Sequence, residues 1–251
     1  VWTGVVLIHS RAVRWSFLKT SLTMMRMLTG ISLTVDGTEK IVGNGPVIFS
    51  ANHSSYLDGA VLISALPSPF GFVVKGELKI HFIPRLFLRR LGCHFVERFD
   101  VEKSLTDTEY LSEALTTGQS LGYFPEGTFS RMPGLLPFHM GAFTIAVMTG
   151  TPIQPIAIRG ARATLREGTA FPRRGRIQVK IMDPIHPRQK SESQWQAALA
   201  LQALDTDARK SRRRALSANA RAARRIVPHG REWYALDGVG DLSDVIEVGY
   251  L

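Results

Sequence analysis

Two short clusters in this chain of 251 residues carry side chains suited to proton transfer. The first is Asn52-His53-Ser54-Ser55-Tyr56-Leu57-Asp58, a histidine with a carboxylate five residues on. An imidazole held by a carboxylate is a general base with a fixed tautomer and a stabilised protonated form. The second is Phe124-Pro125-Glu126-Gly127-Thr128, some seventy residues downstream. That separation suits two loops on one rim of a sheet.

The first cluster constrains its own structure. On one continuous helix, His53 and Asp58 would stand roughly 140° apart and would not meet. The pair works only if His53 sits in a loop and the helix starts near Ser54 or Ser55, with Asp58 in its first turn. Both serines are suitable caps for that start. Taken alone, the spacing has a plainer reading, a loop histidine and an acid placed favourably at a helix N-terminus. No Gly-x-Ser-x-Gly elbow supplies a protein nucleophile. The group left for His53 to activate is a hydroxyl of the substrate.

The surrounding elements follow from pattern. Strands are expected at 33–35, 47–50, 72–74, 94–96, 121–124, 153–158 (interrupted by Pro155) and 177–181, where Ile177, Val179 and Ile181 share a face. Helices are expected over about 55–66, 101–117 (capped by Asp100 and closed by Gly118) and 141–148. Ser191 is suited to cap another over about 193–204. The alternation predicts an α/β fold, a mixed and mostly parallel sheet flanked by helices. The chain divides into an N-terminal helical segment (1–31), a central domain (32–190) and a helical basic, then acidic, tail (191–251), whose part from 205 onward is expected to stand outside the core.

Residues 1–31 hold Arg11, Arg14, Lys19 and Arg26 and no acid. On a helical wheel, Val13, Phe17, Met24, Leu28 and Ile31 form one apolar stripe, while Trp15, Leu18, Leu22 and Met25 fall on the basic side. Such a helix suits either a membrane interface, with snorkelling cations, or a place packed on the domain. The stretch Phe82–Leu91, with Arg85, Arg89 and Arg90, is suited to face a membrane, to line an acceptor route, or to lie half-buried with a solvated basic edge.

The net charge of +10 is uneven: +8 over 1–204, +7 over 205–231 and −5 over 232–251. A basic body suits anionic lipid, phosphorylated substrates or nucleic acid. No long apolar window predicts a transmembrane helix, and no cleavage site follows the first apolar run, so neither a span nor a signal peptide is expected. A single cysteine, Cys93, excludes a disulfide framework and a cysteine-based zinc site. Its apolar setting reads as a core thiol. His139 reads as a helix N-terminal residue.

Asn-His-x-Ser-x-x-Asp followed by Phe-Pro-Glu-Gly-Thr resembles the glycerolipid acyltransferase family, whose best-known members convert lysophosphatidate to phosphatidate. The resemblance covers about residues 30–185, with motifs in family order. It makes His53 and Asp58 the catalytic pair. Gly92, Phe95 and Arg98 match a second motif, whose arginine serves the acceptor phosphate. Phe124 to Thr128 match a third, which makes Glu126, Gly127 and Thr128 substrate-binding. Thr151 to Ile156 match a fourth, a buried proline-bearing strand. Family members often carry Arg directly after Glu-Gly-Thr; here Phe129 stands there, and Arg131 is the substitute.

The resemblance implies a ternary-complex reaction. An acyl group passes from acyl-CoA or acyl-carrier protein to the free hydroxyl of a lysophospholipid, foremost 1-acylglycerol-3-phosphate. Lysophosphatidylethanolamine and lyso-ornithine lipid are alternative acceptors. No cofactor and no metal are expected. Backbone amides near the helix start at Ser54 would receive the oxyanion. Lys75, at the end of a strand on the same rim, is a second phosphate ligand, and Arg98 can grip phosphate bidentately. Glu126 either accepts glycerol hydroxyls or holds Arg98. The expected location is the cytoplasmic face of a membrane, the inner membrane of a bacterium, with no nucleic-acid partner. Two rivals remain: a non-enzymatic basic module binding membrane or nucleic acid through 205–231, and a hydrolase in which the same pair activates water.

Overall fold

The computed structural model describes residues 1–43, 45–80, 82–96, 101–128, 136–165, 169 and 171–187, and near the end Gln202, Asp205 and Lys210. The expected cap Asp100, the expected helix over 193–204 as a unit, and the segment 211–251 lie outside the described residues.

Seven strands form one sheet: β1 (Ile31–Asp36), β2 (Ile48–Ala51), β3 (Phe70–Lys75), β4 (His94–Val96), β5 (Ser120–Tyr123), β6 (Ile153–Arg159) and β7 (Gly175–Ile181). Their order is β1-β7-β6-β2-β5-β3-β4. Every pairing is parallel except β6 with β7, so the sheet is mixed and mostly parallel. β5 inserts between β2 and β3. The loops that leave β2 and β5 therefore emerge side by side at one rim, where ligands of open α/β sheets bind.

The central strand explains its own apolar run. Val47, Phe49 and Ala51 belong to one core, while Ile48 belongs to the other. A strand buried on both faces has no polar alternation to show. One face packs α2 (Arg11–Thr29) and α3 (Asp58–Ala65), with Phe70 and Leu62 fully buried. The other packs α5 (Val101–Thr116) and α6 (Gly141–Thr149), with Leu115 and Phe143 fully buried. Each such side chain contributes roughly 1.5–3 kcal/mol relative to exposure.

The N-terminal helices settle which side of α2 packs on the domain. In α2 it is Trp15 and Leu18, from the basic side of the wheel, that are buried. Trp15 meets Phe70 edge-on at 5.2 Å, a pairing worth about 0.5–1.5 kcal/mol beyond burial. Val13, Met24 and Leu28 of the apolar stripe face outward, Leu28 at 85% exposed. α1 (Trp2–Leu7) packs on α2 and on α4 (Phe82–Leu91). No helix among the described residues is long and apolar enough to cross a membrane.

Pro155 does not interrupt its strand, contrary to expectation; β6 runs unbroken through it. Proline has no N–H for a ladder. Its carbonyl still accepts from the Met182 amide at 3.0 Å. Ile153 pairs with Ile185 while Ile156 pairs with Ile181, so the register slips by one residue beside Pro155. Beside that bulge the Met182 carbonyl takes the Gln154 side-chain amide in place of a proline N–H. Past the sheet, the expectation that everything from 205 onward stands outside the core fails at Asp205. It is fully buried and accepts from the Ser50 hydroxyl of β2 at 2.8 Å.

Candidate active site

β2 ends at Ala51 and hands two residues to the rim. The Asn52 side chain accepts from the Ile158 amide at 2.7 Å and donates to the Ile158 carbonyl at 3.0 Å. It thereby continues the β2–β6 ladder beyond the Ala51–Ile156 pair. Sequence reasoning gave Asn52 no role. The signal was its amide, which can mimic a backbone donor and acceptor at once.

His53 follows in a loop, and α3 starts only at Asp58, later than expected. Neither serine caps the helix as foreseen. Instead, the turn closes by a bond from the Asp58 amide to the Ser55 carbonyl at 3.1 Å. The Asp58 carboxylate then reaches backwards. Its Oδ2 accepts from the Ser54 amide at 2.5 Å, the Ser55 amide at 2.8 Å and His53 Nδ1 at 2.9 Å. Asp58 is fully buried, whereas the His53 side chain is 20% exposed. A carboxylate facing Nδ1 makes that nitrogen the donor, so Nε2 carries the lone pair of the neutral ring. The amides of Ser54 and Ser55 are consumed by Asp58, which corrects their assignment as oxyanion donors.

A second contact fixes the imidazole plane. His53 stacks on Phe124 with centroids 4.3 Å apart and planes 19° apart. Phe124 in turn stacks on Phe72 at 5.9 Å. Phe124 was legible only as part of a motif; its ring-support role needed the pairing of β2 with β5.

Glu126 is buried, and each of its oxygens takes a backbone amide: Oε1 from His53 and Oε2 from Leu136, both at 2.9 Å. It braces the loop of the base against the loop after its own motif. Gly127 turns the chain at a φ of 71°, with its amide bonded to the Phe124 carbonyl at 2.9 Å, a conformation L side chains rarely adopt. Thr128 is exposed. Lys75 closes β3 on the same rim as His53 and Glu126. Gly92 and Phe95 lead into and along β4. Arg98 and Arg131 lie outside the described residues. A cavity of about 230 Å³ opens beside Phe124 and Gly127, walled by Val73, Val96, Leu111 and Ile145.

Two other candidates resolve simply. Cys93 is buried, and burial pushes its thiol up to about 12, partly offset by a bond to the Phe72 backbone. A thiol so rarely ionised is a poor nucleophile. His139 is exposed two residues before α6, its amide bonded to the Pro125 carbonyl at 2.8 Å.

A family model described as Acyltransferase matches residues 32–159, half of the chain. Its span includes His53, Asp58 and Glu126. Among similar proteins, the chloroplastic 1-acyl-sn-glycerol-3-phosphate acyltransferase LPAT1 of Arabidopsis thaliana is 30% identical over 61% of this chain and 44% of its own. The 1-acyl-sn-glycerol-3-phosphate acyltransferase of Borreliella burgdorferi is 31% identical over 52% of each. The chain spans about half the length of these curated relatives. The crystal structure of the 1-acyl-sn-glycerophosphate acyltransferase PlsC from Thermotoga maritima superposes with a TM-score of 0.63, at 22% identity, over 83% of this chain and 85% of that one. With its fold matched there, and with His53, Asp58 and Glu126 all inside the span of the family model, the chain belongs to the acyltransferase family.

Proposed function

We propose that this chain moves a fatty acyl group from a thioester to the free hydroxyl of a lysophospholipid, foremost 1-acylglycerol-3-phosphate, giving phosphatidate. The observation that carries this reading is the contact of His53 Nδ1 with the buried Asp58 at 2.9 Å. It leaves Nε2 as the basic nitrogen. Nε2 takes the proton of the acceptor hydroxyl as its oxygen bonds to the thioester carbonyl carbon. The tetrahedral intermediate collapses, the C–S bond breaks, and the imidazolium returns its proton to the thiolate. The buried carboxylate stabilises the imidazolium between the two steps.

The names of the relatives support the acceptor. In this reading Lys75, with Arg98 and Arg131, meets the acceptor phosphate at the rim. Gly127 and Thr128 contact its glycerol. The cavity beside Phe124 offers hydrocarbon the apolar walls of Val73, Val96, Leu111 and Ile145. Membrane association is supported by the outward residues Val13, Met24 and Leu28 of α2, together with the exposed Ile80, Phe82 and Ile83 at the start of α4.

The test is a panel of lysolipid acceptors supplied with acyl-CoA or acyl-carrier protein, products read by mass, for wild type and His53→Ala. Phosphatidate formed by the wild type and lost in a folded His53→Ala protein is the expected result. Near-normal transfer in that variant, or free fatty acid as the sole product, overturns the reading.

A further inference from the structure

A second cavity, of about 670 Å³, lies along the edge strand β4, between α2, α4 and α5. Six cationic side chains line it: Arg11, Arg14, Lys79, Arg85, Arg89 and Arg90. Asp107 is the one carboxylate among its described lining residues. His94 also borders it, but burial and the nearby Arg11 push its pKa below the usual histidine value, so the ring adds no charge.

The six do not have the same task. Arg14 is committed to structure. Its guanidinium donates to the carbonyls of Ile8, His9 and Arg90, tying the ends of α1 and α4 together. Among the described residues the other five make no ion pair; the ion pairs found there are Lys40–Asp183 and His53–Asp58. Arg85 and Arg89 are four apart on α4 and share a face. Arg11 opens α2, where the helix dipole disfavours a cation and no acid offsets it. Among the described residues these five cations share the cavity with a single carboxylate, Asp107, so like charge predominates there, and an anion filling the space lowers that cost.

The position is informative. The cavity is bordered by Gly92, Cys93 and His94, at the start of β4, and by Gln119, just before β5. His53 and Glu126 instead follow the ends of β2 and β5. The two cavities share Asp107. A ligand anchored among the arginines can run past Asp107 to Phe124, on which His53 stacks.

We propose that this basic cavity holds the phosphate groups of the acyl donor's nucleotide, the 3′-phosphorylated adenosine diphosphate of coenzyme A. The inference rests on the reading of the chain as an acyltransferase using a thioester donor. A diphosphate with a separate phosphomonoester uses several arginine forks at once, whereas one lipid phosphate uses one or two. A concave site of this volume takes a small molecule, not the convex face of a carrier protein.

The experiment has three arms, on the full chain and on Arg85→Ala/Arg89→Ala and Arg85→Glu proteins that melt near the wild type. Titration calorimetry with adenosine 3′,5′-bisphosphate reads the site directly. Both variants are expected to bind at least about tenfold more weakly, and wild-type binding is expected to weaken as salt rises. Kinetics compare palmitoyl-CoA with the nucleotide-free thioester of N-acetylcysteamine. The preference of the wild type for the CoA thioester, read as a ratio of kcat/KM values, is expected to collapse toward unity in the variants. Sedimentation with phosphatidylglycerol vesicles forms the third arm. No binding of the bisphosphate by the wild type, or equal binding by the variants, overturns the proposal. So does loss of vesicle binding with undiminished nucleotide binding, which assigns the cavity to lipid headgroups. If no donor supports transfer yet nucleotide binding depends on these arginines, the phosphate site stands and only the reaction falls.

Discussion

The backbone amide of His53 donates to Glu126 Oε1 at 2.9 Å, across 73 residues of sequence. His53 is therefore held from two sides. Asp58 fixes the edge of the ring, and Glu126 fixes the peptide that carries it.

Glu126 is thus expected to act on rate more than on acceptor affinity. Glu126→Ala leaves the His53 and Leu136 amides without their acceptor. A buried donor left unpaired costs about 1–3 kcal/mol. The expected result is a lower melting temperature and kcat reduced about 10–100-fold, as when a supporting shell around a reactive group is removed. Glu126→Gln, which keeps one acceptor oxygen, should fall between. Steady-state kinetics with a melting curve check this. A rise in acceptor KM alone would assign Glu126 to the substrate.

Asp58→Asn should be nearly as damaging as losing the base. Oδ2 receives three N–H groups, and an amide facing Nδ1 can present a donor there instead of an acceptor. The wrong tautomer of His53 then faces the substrate. A fall in kcat of about 10³–10⁴ is expected, the scale seen when a carboxylate that orients a histidine is neutralised. Combining it with His53→Ala should add little, because the two act as a unit. A further large loss in the double variant would show that Asp58 serves the reaction independently.

Asn52→Ala tests the anchor of the same loop. The substitution leaves both the Ile158 amide and carbonyl unpaired. About 1–3 kcal/mol of stability should be lost, measured by urea denaturation. Asn52→Asp should cost more, because a carboxylate oxygen would then face the Ile158 carbonyl. An unchanged midpoint in both variants would remove Asn52 from the account.

Much of this was legible in sequence because it is local. β2 reads as an apolar run because both faces of Val47 to Ala51 are buried. The His53–Asp58 contact follows from the need to avoid one continuous helix. The illegible parts depend on which strands become neighbours. The brace from Glu126 and the stack of Phe124 on His53 exist because β5 lies beside β2. Asn52 has its partners because β6 lies on the other side. The buried face of α2 was not legible because both of its sides are apolar. The choice was made by Phe70, against which Trp15 packs. Ser54 and Ser55 look like caps by residue type, but the helix begins only at Asp58, and the Ser55 hydroxyl instead accepts from the Leu57 amide and donates to the Leu165 carbonyl.

Cys93 makes the protein's response to alkali testable. Burial holds its thiol protonated, with a folded value pushed up to about 12, against roughly 8.5 in an unfolded chain. Between those values the unfolded state binds fewer protons than the folded state, so stability falls as pH rises. The contribution is fully present below the unfolded value and is lost progressively up to the folded one. The limiting slope for one group is about 1.4 kcal/mol per pH unit. Other alkaline groups are common to wild type and Cys93→Ala, so the difference in slope isolates this thiol. Urea denaturation at a series of pH values above about 9 should show the wild type losing stability more steeply than Cys93→Ala. The thiol of the native protein should also resist a disulfide reagent at pH 8 that labels it at once in urea. Parallel slopes, or rapid native labelling, would place Cys93 in a more polar setting than the one between β3 and α4.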